Sequence, residues 1–183
     1  MKIIGIDPGL DGGIAIMIGG NIINLIEMPT YEETTKTKLK SGKYKKQRHI
    51  DAHAFADIIF AHKEAKIYME KVNPFAGMGS ASSTRMAINI GRLEGILIGM
   101  GFTWEYVTPG RWQKALWKDS DWVERKNPNK RTKQGNTDTK KTSLNAAQRL
   151  FPLVNFIPRG KQVPHDGLFD AALIAEHGKR QEA

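Results

Sequence analysis

The chain opens on short apolar runs separated by turn signals. Lys2 to Asp7, Gly13 to Ile18 and Ile22 to Glu27 each read as a strand, broken by Pro8-Gly9 and by Gly19-Gly20-Asn21, which predicts the start of an antiparallel meander. The pattern then changes. Residues 29–49 carry Lys36, Lys38, Lys40, Lys43, Lys45, Lys46 and Arg48 with almost no apolar anchors, and read as a mobile basic loop. From Ile50 to His62 the apolar residues Ala54, Phe55, Ile58 and Ile59 recur at helical spacing, with Asp51 placed to favour the first turn. Lys66 to Val72 alternates as a strand does, and Asn73-Pro74 stops it. Ser83 to Met100 carries a long apolar stripe, Met86, Ile88, Ile90, Leu93, Ile96 and Leu97, beside a row of Gly91, Gly95 and Gly99 whose spacing usually lets another backbone come close. Phe102 to Val107 reads as a strand, Pro109 as the opening of a short helix, and residues 118–137 as a second polar, basic stretch. Asp138 to Leu150 and His165 to His177 complete the pattern as two helices. With no internal repeat, this alternation predicts one α/β domain over residues 1–183, a mixed central sheet flanked by helices, with two basic loops.

Charge changes the picture more than length does. The chain of 183 residues, 40% hydrophobic, has room for one ordinary core. Its 28 Lys and Arg outnumber 19 Asp and Glu, a net charge of +9 that favours a polyanionic partner, nucleic acid ahead of an acidic lipid surface. No apolar stretch approaches a membrane span, and the first residues lack a basic-then-apolar leader, so the expectation is a soluble protein of the cytoplasm with no membrane partner. Without cysteine, disulfides, thiolate zinc sites and thiol nucleophiles are excluded, and any metal must be held by oxygen or imidazole.

Carboxylates inside apolar elements stand out, because a charge there costs free energy unless it is paired or binds a cation. Asp7 ends the run Ile3-Ile4-Gly5-Ile6. Glu70 sits within Ile67-Tyr68-Met69-Glu70-Lys71-Val72. Asp166 and Asp170, four apart, share one face of a helix that is otherwise apolar, with His165 beside them. Each has a plainer reading: a turn aspartate for Asp7, a water-facing strand charge for Glu70, an N-cap for Asp166, a helix-start bystander for His165. Asp170, in the second turn, has no capping role to explain it. Converging carboxylates repel one another, and two divalent cations, Mg²⁺ or Mn²⁺, would neutralise them and allow phosphodiester hydrolysis to a 5′-phosphate and a 3′-hydroxyl.

Three motifs carry a resemblance. Ile4-Gly5-Ile6-Asp7-Pro8-Gly9-Leu10, the strand glutamate Glu70, and His165-Asp166-Gly167-Leu168-Phe169-Asp170-Ala171-Ala172 resemble, in sequence and order, the RuvC family of Holliday junction resolvases. The resemblance implies an RNase H-like fold, a homodimer, and paired nicking of a four-way junction by a site of four acidic or equivalent residues. Asp7, Glu70 and Asp170 match their motifs directly. In much of the family the fourth residue lies three positions before the last, which here is Gly167; Asp166 is the nearest candidate, with His165 as ligand or proton donor. The family also places a basic residue early in the preceding helix, which Lys140 or Lys141 would match, Lys141 being the favoured one, and an aromatic shortly after the strand glutamate, here Phe75. The longer spacing after Glu70 fits a phage-type or divergent member, which would work in the host cytoplasm.

The basic stretches then read as phosphate contacts: Lys43, Lys45, Lys46 and Arg48 in the first, Lys130, Arg131 and Lys133 in the second, with Lys140 and Arg85 nearby, against the alternative of mere solubility. Of four tryptophans, Trp104 and Trp112 read as core, while Trp117 and Trp122 are open to stacking on bases or on a partner subunit. Three rivals remain. An actin-like ATPase or sugar kinase shares the opening hairpin but needs two such domains, so no nucleotide cofactor is expected; a non-catalytic branched-DNA-binding protein and an RNase H-like nuclease for flaps or RNA strands keep the fold.

Overall fold

The apolar runs at the start of the chain become the middle of a sheet. The computed structural model describes residues 1–73, 77–125 and 137–183. Strands β1 (Lys2–Asp7), β2 (Gly13–Ile18) and β3 (Asn21–Glu27) form the expected antiparallel meander, and β6 (Lys66–Glu70) and β7 (Trp104–Val107) extend it in parallel on the other side of β1. The spatial order is β3-β2-β1-β6-β7, a mixed five-stranded sheet. β1 therefore lies between an antiparallel and a parallel neighbour, covered on both faces, which is why its residues read as one continuous apolar run.

Alternation along the strands builds two cores. Ile3, Ala15, Met17 and Tyr68 face one way, towards α3 (Pro109–Leu116), α4 (Thr139–Leu150) and α5 (Asp166–Gln181); Ile4, Ile6, Ile14, Ile16, Ile67 and Met69 face the other, towards α1 (Ala52–Phe60) and α2 (Ser80–Gly99). α5 crosses β1 and β2 very closely. A Cβ added at Gly5 would run into the backbone of Ala171 and Ala175, and one at Gly13 would stand 2.6 Å from the Gly167 carbonyl oxygen. Glycine on the strands and Ala171, Ala172 and Ala175 on the helix thus set the depth at which α5 beds into the sheet.

Local signals place the helix starts. The Asp51 carboxylate accepts hydrogen bonds from the backbone N–H groups of His53 and Ala54 at 3.1 and 3.0 Å, Asp138 caps α4 through the Lys141 N–H, and Pro109 occupies the first turn of α3.

Two expectations are corrected. Residues 29–49 are not a loop: β4 (Thr30–Lys38) and β5 (Tyr44–Ile50) pair as an antiparallel hairpin that forms its own two-stranded sheet. Thr34, Thr35, Thr37 and Tyr44 suit strands, and Leu39-Lys40-Ser41-Gly42 closes the turn with Gly42 at φ +79°, so local propensity prevailed where apolar anchors were missing. Gly91, Gly95 and Gly99 face open space within the subunit and admit no backbone. Within 118–137, Asp119–Asp121 forms a single 3-10 turn, and Asp121 is buried against the Arg149 guanidinium at 2.7 Å. Among the described residues no helix is long and apolar enough to cross a membrane.

Candidate active site

Two strand ends and one helix bring the carboxylates together. The parallel register pairs Ile6 with Met69, so the next residues, Asp7 and Glu70, leave the sheet side by side at its carboxyl edge. α5 starts over this edge, and Asp166 and Asp170 on its first two turns face the same space. Asp7 Oδ1 accepts the Gly9 N–H at 3.2 Å, which holds the turn after β1 and fixes the side chain. Glu70 Oε1 accepts the indole N–H of Trp112 at 2.9 Å. Trp112 is thus both the core residue expected and a donor that orients a carboxylate.

The electrostatics are those of a site short of positive charge. Burial, then the charges of Glu70 and Asp166, push the Asp7 carboxyl up to about 7, against the opposing Gly9 hydrogen bond. Asp170 is held well above the ordinary carboxylate range by burial and then by Asp7 and Glu70, despite a bond with Ser143, and its Oδ1 is buried with no hydrogen-bond partner. Burial likewise raises Glu70. Asp166 differs: burial works upward on it, but its bond to Lys140 prevails and its net shift is downward. The same pair raises Lys140, which also feels Asp170 and Asp11.

The remaining candidates distribute as follows. His165 is the residue before α5; its Nε2 lies 3.6 Å from Glu27, and its Nδ1 is buried without a partner. Lys141 turns away from the acidic group to Asp138, at 3.3 Å, so Lys140 is the lysine that the helix presents to the site. Arg85, at the start of α2, lines a surface cleft whose walls also include the Pro8-Gly9-Leu10 turn, Met86 and the buried Asn89. Lys43 and Lys45 are exposed on the hairpin, Lys46 is paired with Glu32 at 2.9 Å, and Arg48 binds Asp11. Phe75, Lys130, Arg131 and Lys133 lie outside the described residues. Trp117 and Trp122 pack edge to face at 5.6 Å between ring centres, with Trp122 exposed.

The structure explains why Gly167 is not acidic. A Cβ there would collide with the backbone of Asp11 and Gly12, because the first turn of α5 rests directly on the turn between β1 and β2. Asp166, one residue earlier, clears that contact and still reaches the site. Sequence reading missed this, along with Ser143 and Trp112 as a donor; it offered both lysines and favoured Lys141, whereas Lys140 is the one paired with Asp166. The available signal for Ser143 was its place on the small-residue face Thr142, Ser143, Ala146, Ala147, which α4 buries.

A hard divalent cation fits the donor set: all oxygen, with Asp7 and Asp170 deeply buried and raised by that burial and then by neighbouring carboxylates, and with one buried carboxylate oxygen that has no partner among the described residues. Among the described residues no three His, Asp or Glu side chains stand in an arrangement that could hold an ion without movement. Glu70 Oε1 is held by the Trp112 indole, and Asp166 is turned to Lys140, a contact that binding a cation would exchange for a metal–oxygen bond.

No protein-family model and no curated protein sequence matches the chain. Solved structures do. RuvC from Thermus thermophilus in complex with a Holliday junction substrate superposes with a TM-score of 0.55 at 10% identity, over 100% of this chain and 97% of that one. A second structure of Thermus thermophilus RuvC gives 0.53 at 11% identity over the same shares. At such identities the likeness speaks for the fold: this chain has a RuvC-type, RNase H-like α/β fold.

Proposed function

We propose that the chain is a single nuclease domain that resolves four-way DNA junctions by paired, metal-dependent nicks. The observation that carries this is the convergence of Asp7, Glu70 and Asp170, each with its pKa raised, and Asp166, at the carboxyl edge of a RuvC-type sheet. That one structural neighbour was solved on a Holliday junction substrate supports the choice of branched DNA. Asp7, Glu70, Asp166 and Asp170 would hold two Mg²⁺ or Mn²⁺ ions, which supply Lewis-acid activation of water and stabilisation of the leaving 3′ oxygen. Trp112 and Gly9 orient Glu70 and Asp7 through their N–H groups. Lys140, released from Asp166 when that carboxylate is engaged, is free to meet the scissile phosphate. His165, whose buried Nδ1 has no partner among the described residues, would carry a proton to or from the departing oxygen. Arg85 beside the Pro8-Gly9 turn would contact the backbone of the cleaved strand. No nucleotide is required.

A homodimer completes this reading. The outward face of α2 presents Thr84, Ala87, Ile88, Gly91, Gly95 and Ile98, uncharged and exposed, at the three- and four-residue spacing of a helix seam. Two copies meeting there around a two-fold axis would address opposing strands of a symmetric junction. The protein would act in the cytoplasm, of a host cell if its gene is carried by a phage.

The test is cleavage of a labelled four-way junction beside duplex, flap and RNA–DNA hybrid in Mg²⁺, Mn²⁺ or EDTA, with the wild type and Asp7→Asn. Paired nicks in the junction, absent in EDTA and in Asp7→Asn while binding persists, are expected. Preferential cutting of flaps or hybrids would move the substrate; no cutting of any substrate would leave a branched-DNA-binding protein.

A further inference from the structure

The hairpin β4–β5 is an exposed basic surface, and nothing in the chemistry of the acidic site requires it. Between Thr30 and Ile50, seven cations stand against Glu32 and Glu33, a net +5 within 21 residues of a chain whose total is +9. From Tyr31 to Lys46 nearly every residue is exposed on both faces, so the ribbon has no core of its own. A two-stranded ribbon is marginal in water unless something holds it.

Its base is held. Arg48 donates to Asp11 Oδ1 and to the Leu10 carbonyl oxygen, each at 2.6 Å, and so fastens β5 to the turn that follows Asp7. Tyr31 stacks on His49 at 5.4 Å, and Arg92 of α2 reaches to 3.5 Å from His49 Nδ1. Both hairpin carboxylates are spent near this base, Glu32 on Lys46 and Glu33 beside His49. Towards the tip, Lys36, Lys38, Lys40, Lys43 and Lys45 have no carboxylate partner among the described residues. A fixed base and an uncompensated basic tip make an arm with a defined reach and direction, quite unlike a flexible tail.

Resting on the junction-nuclease reading above, the geometry points to a specific role: the hairpin is a β-ribbon arm that lies along one duplex arm of the DNA, with Arg48 as the positioning residue that sets it relative to the cleaved strand. A two-stranded ribbon matches the width of a DNA major groove, and lysines along its edges match the spacing of phosphates. The few apolar side chains exposed there, Tyr31 near the base and Leu39 and Tyr44 at the tip, are too scattered for a protein partner of ordinary character. At about 3.3 Å per residue, β4 carries the tip roughly 26 Å beyond its base. That distance spans about 8 base pairs of duplex. Arg48 itself is committed to Asp11 and Leu10 and is assigned to fixing the arm, which takes it out of the set of phosphate contacts.

The experiment measures binding in EDTA, so that no strand is cut, to junctions whose arms are about 5, 10 and 20 base pairs long, and to linear duplexes of matching lengths. The proteins are the wild type and a variant carrying Lys36→Gln, Lys38→Gln, Lys40→Gln, Lys43→Gln and Lys45→Gln, whose fold is checked by circular dichroism. For the wild type, affinity should rise at least tenfold between the shortest and middle arms and then level off; for the variant it should stay flat. The slope of log affinity against log salt should fall by up to about 4 in the variant on the longer arms and be unchanged on the shortest. Arg48→Ala, which keeps all five lysines, should lose the step in arm length, while Arg48→Lys restores part of it. Equal binding by wild type and the five-lysine variant at every arm length overturns the arm. Should the wild type cut no junction while the five-lysine variant still loses the length step on linear duplex, the arm stands and the junction reading falls.

Discussion

At the scale of the residue, the site is defined by what it costs to fold. Asp7 has a folded pKa of about 7 against an ordinary 3.8, raised by burial first and by Glu70 and Asp166 next. A group whose folded pKa is raised contributes stability that is fully present below the unfolded value and lost as pH climbs through the folded one. The metal-free protein should therefore weaken between about pH 4 and pH 8. Asp7→Asn, neutral throughout, should escape that loss. We expect the Tm of Asp7→Asn in EDTA to exceed that of the wild type by a margin that widens from pH 5 to pH 8, on the order of 2 kcal/mol at the upper end. Mg²⁺ should close the margin by stabilising the wild type alone. Nicking by Asp7→Asn should fall by about a thousandfold or more, as for loss of a group acting only in the reaction. A margin independent of pH would mean that Asp7 titrates normally and does not share the acidic cluster.

A second prediction at this scale separates the two neighbouring lysines. Lys140 meets Asp166, whereas Lys141 meets Asp138, which caps its own helix. Lys140→Ala should lower single-turnover cleavage at saturating enzyme by about a hundredfold, while Lys141→Ala should leave it within a few-fold and cost only a few tenths of a kcal/mol in stability. Measured on one junction substrate, a larger effect at Lys141 would reassign the site lysine.

At the scale of the element, α5 decides where the carboxylates can be. Its first turn sits on the backbone of Asp11 and Gly12, so that Gly167 has no room for a Cβ. Gly167→Ala should destabilise the protein by about 1–3 kcal/mol in urea unfolding, through overpacking against backbone that cannot give way. Gly167→Asp should not restore cleavage to Asp166→Asn, even though it would recreate the three-residue spacing. Ion pairing makes the same point from another side. The buried Asp121–Arg149 pair ties the turn after α3 to α4, and α4 in turn carries Ser143 and Lys140 to the site.

For the whole molecule, symmetry becomes the question. The uncharged outward face of α2 has no partner among the described residues of the subunit, and its glycines meet none of them. The wild type should run as a dimer by light scattering, and Ile88→Glu with Ile98→Glu should convert it to a folded monomer, since each places a charge in an apolar seam. Single nicks in place of paired ones would then be expected from the monomer. A wild type that is already monomeric would move the dimer onto the DNA.

Some of this was legible in the residues and some was not. The meander, the strand that carries Glu70, the helix start at Asp51 and the helix bearing Asp166 and Asp170 all follow from periodicity and turn chemistry, which are local properties. Asp7, Glu70 and Asp170 stood out for the same reason: a carboxylate in an apolar run violates a local rule, and the violation is visible without knowing what lies across the sheet. The hairpin at 30–50 was hidden because strand pairing depends on a second strand, and polar strands lack the alternation that announces one. The choice of Lys140 over Lys141, the donation from Trp112 to Glu70 and the exclusion of a side chain at Gly167 depend on approach between segments far apart in the chain. The sequence by itself determined the helices, the apolar strands and which residues carry unusual charge, because these are set by neighbours within a few positions. Which of those charges face one another was decided only by the tertiary structure, because burial, Coulomb coupling and steric exclusion act between atoms close in space.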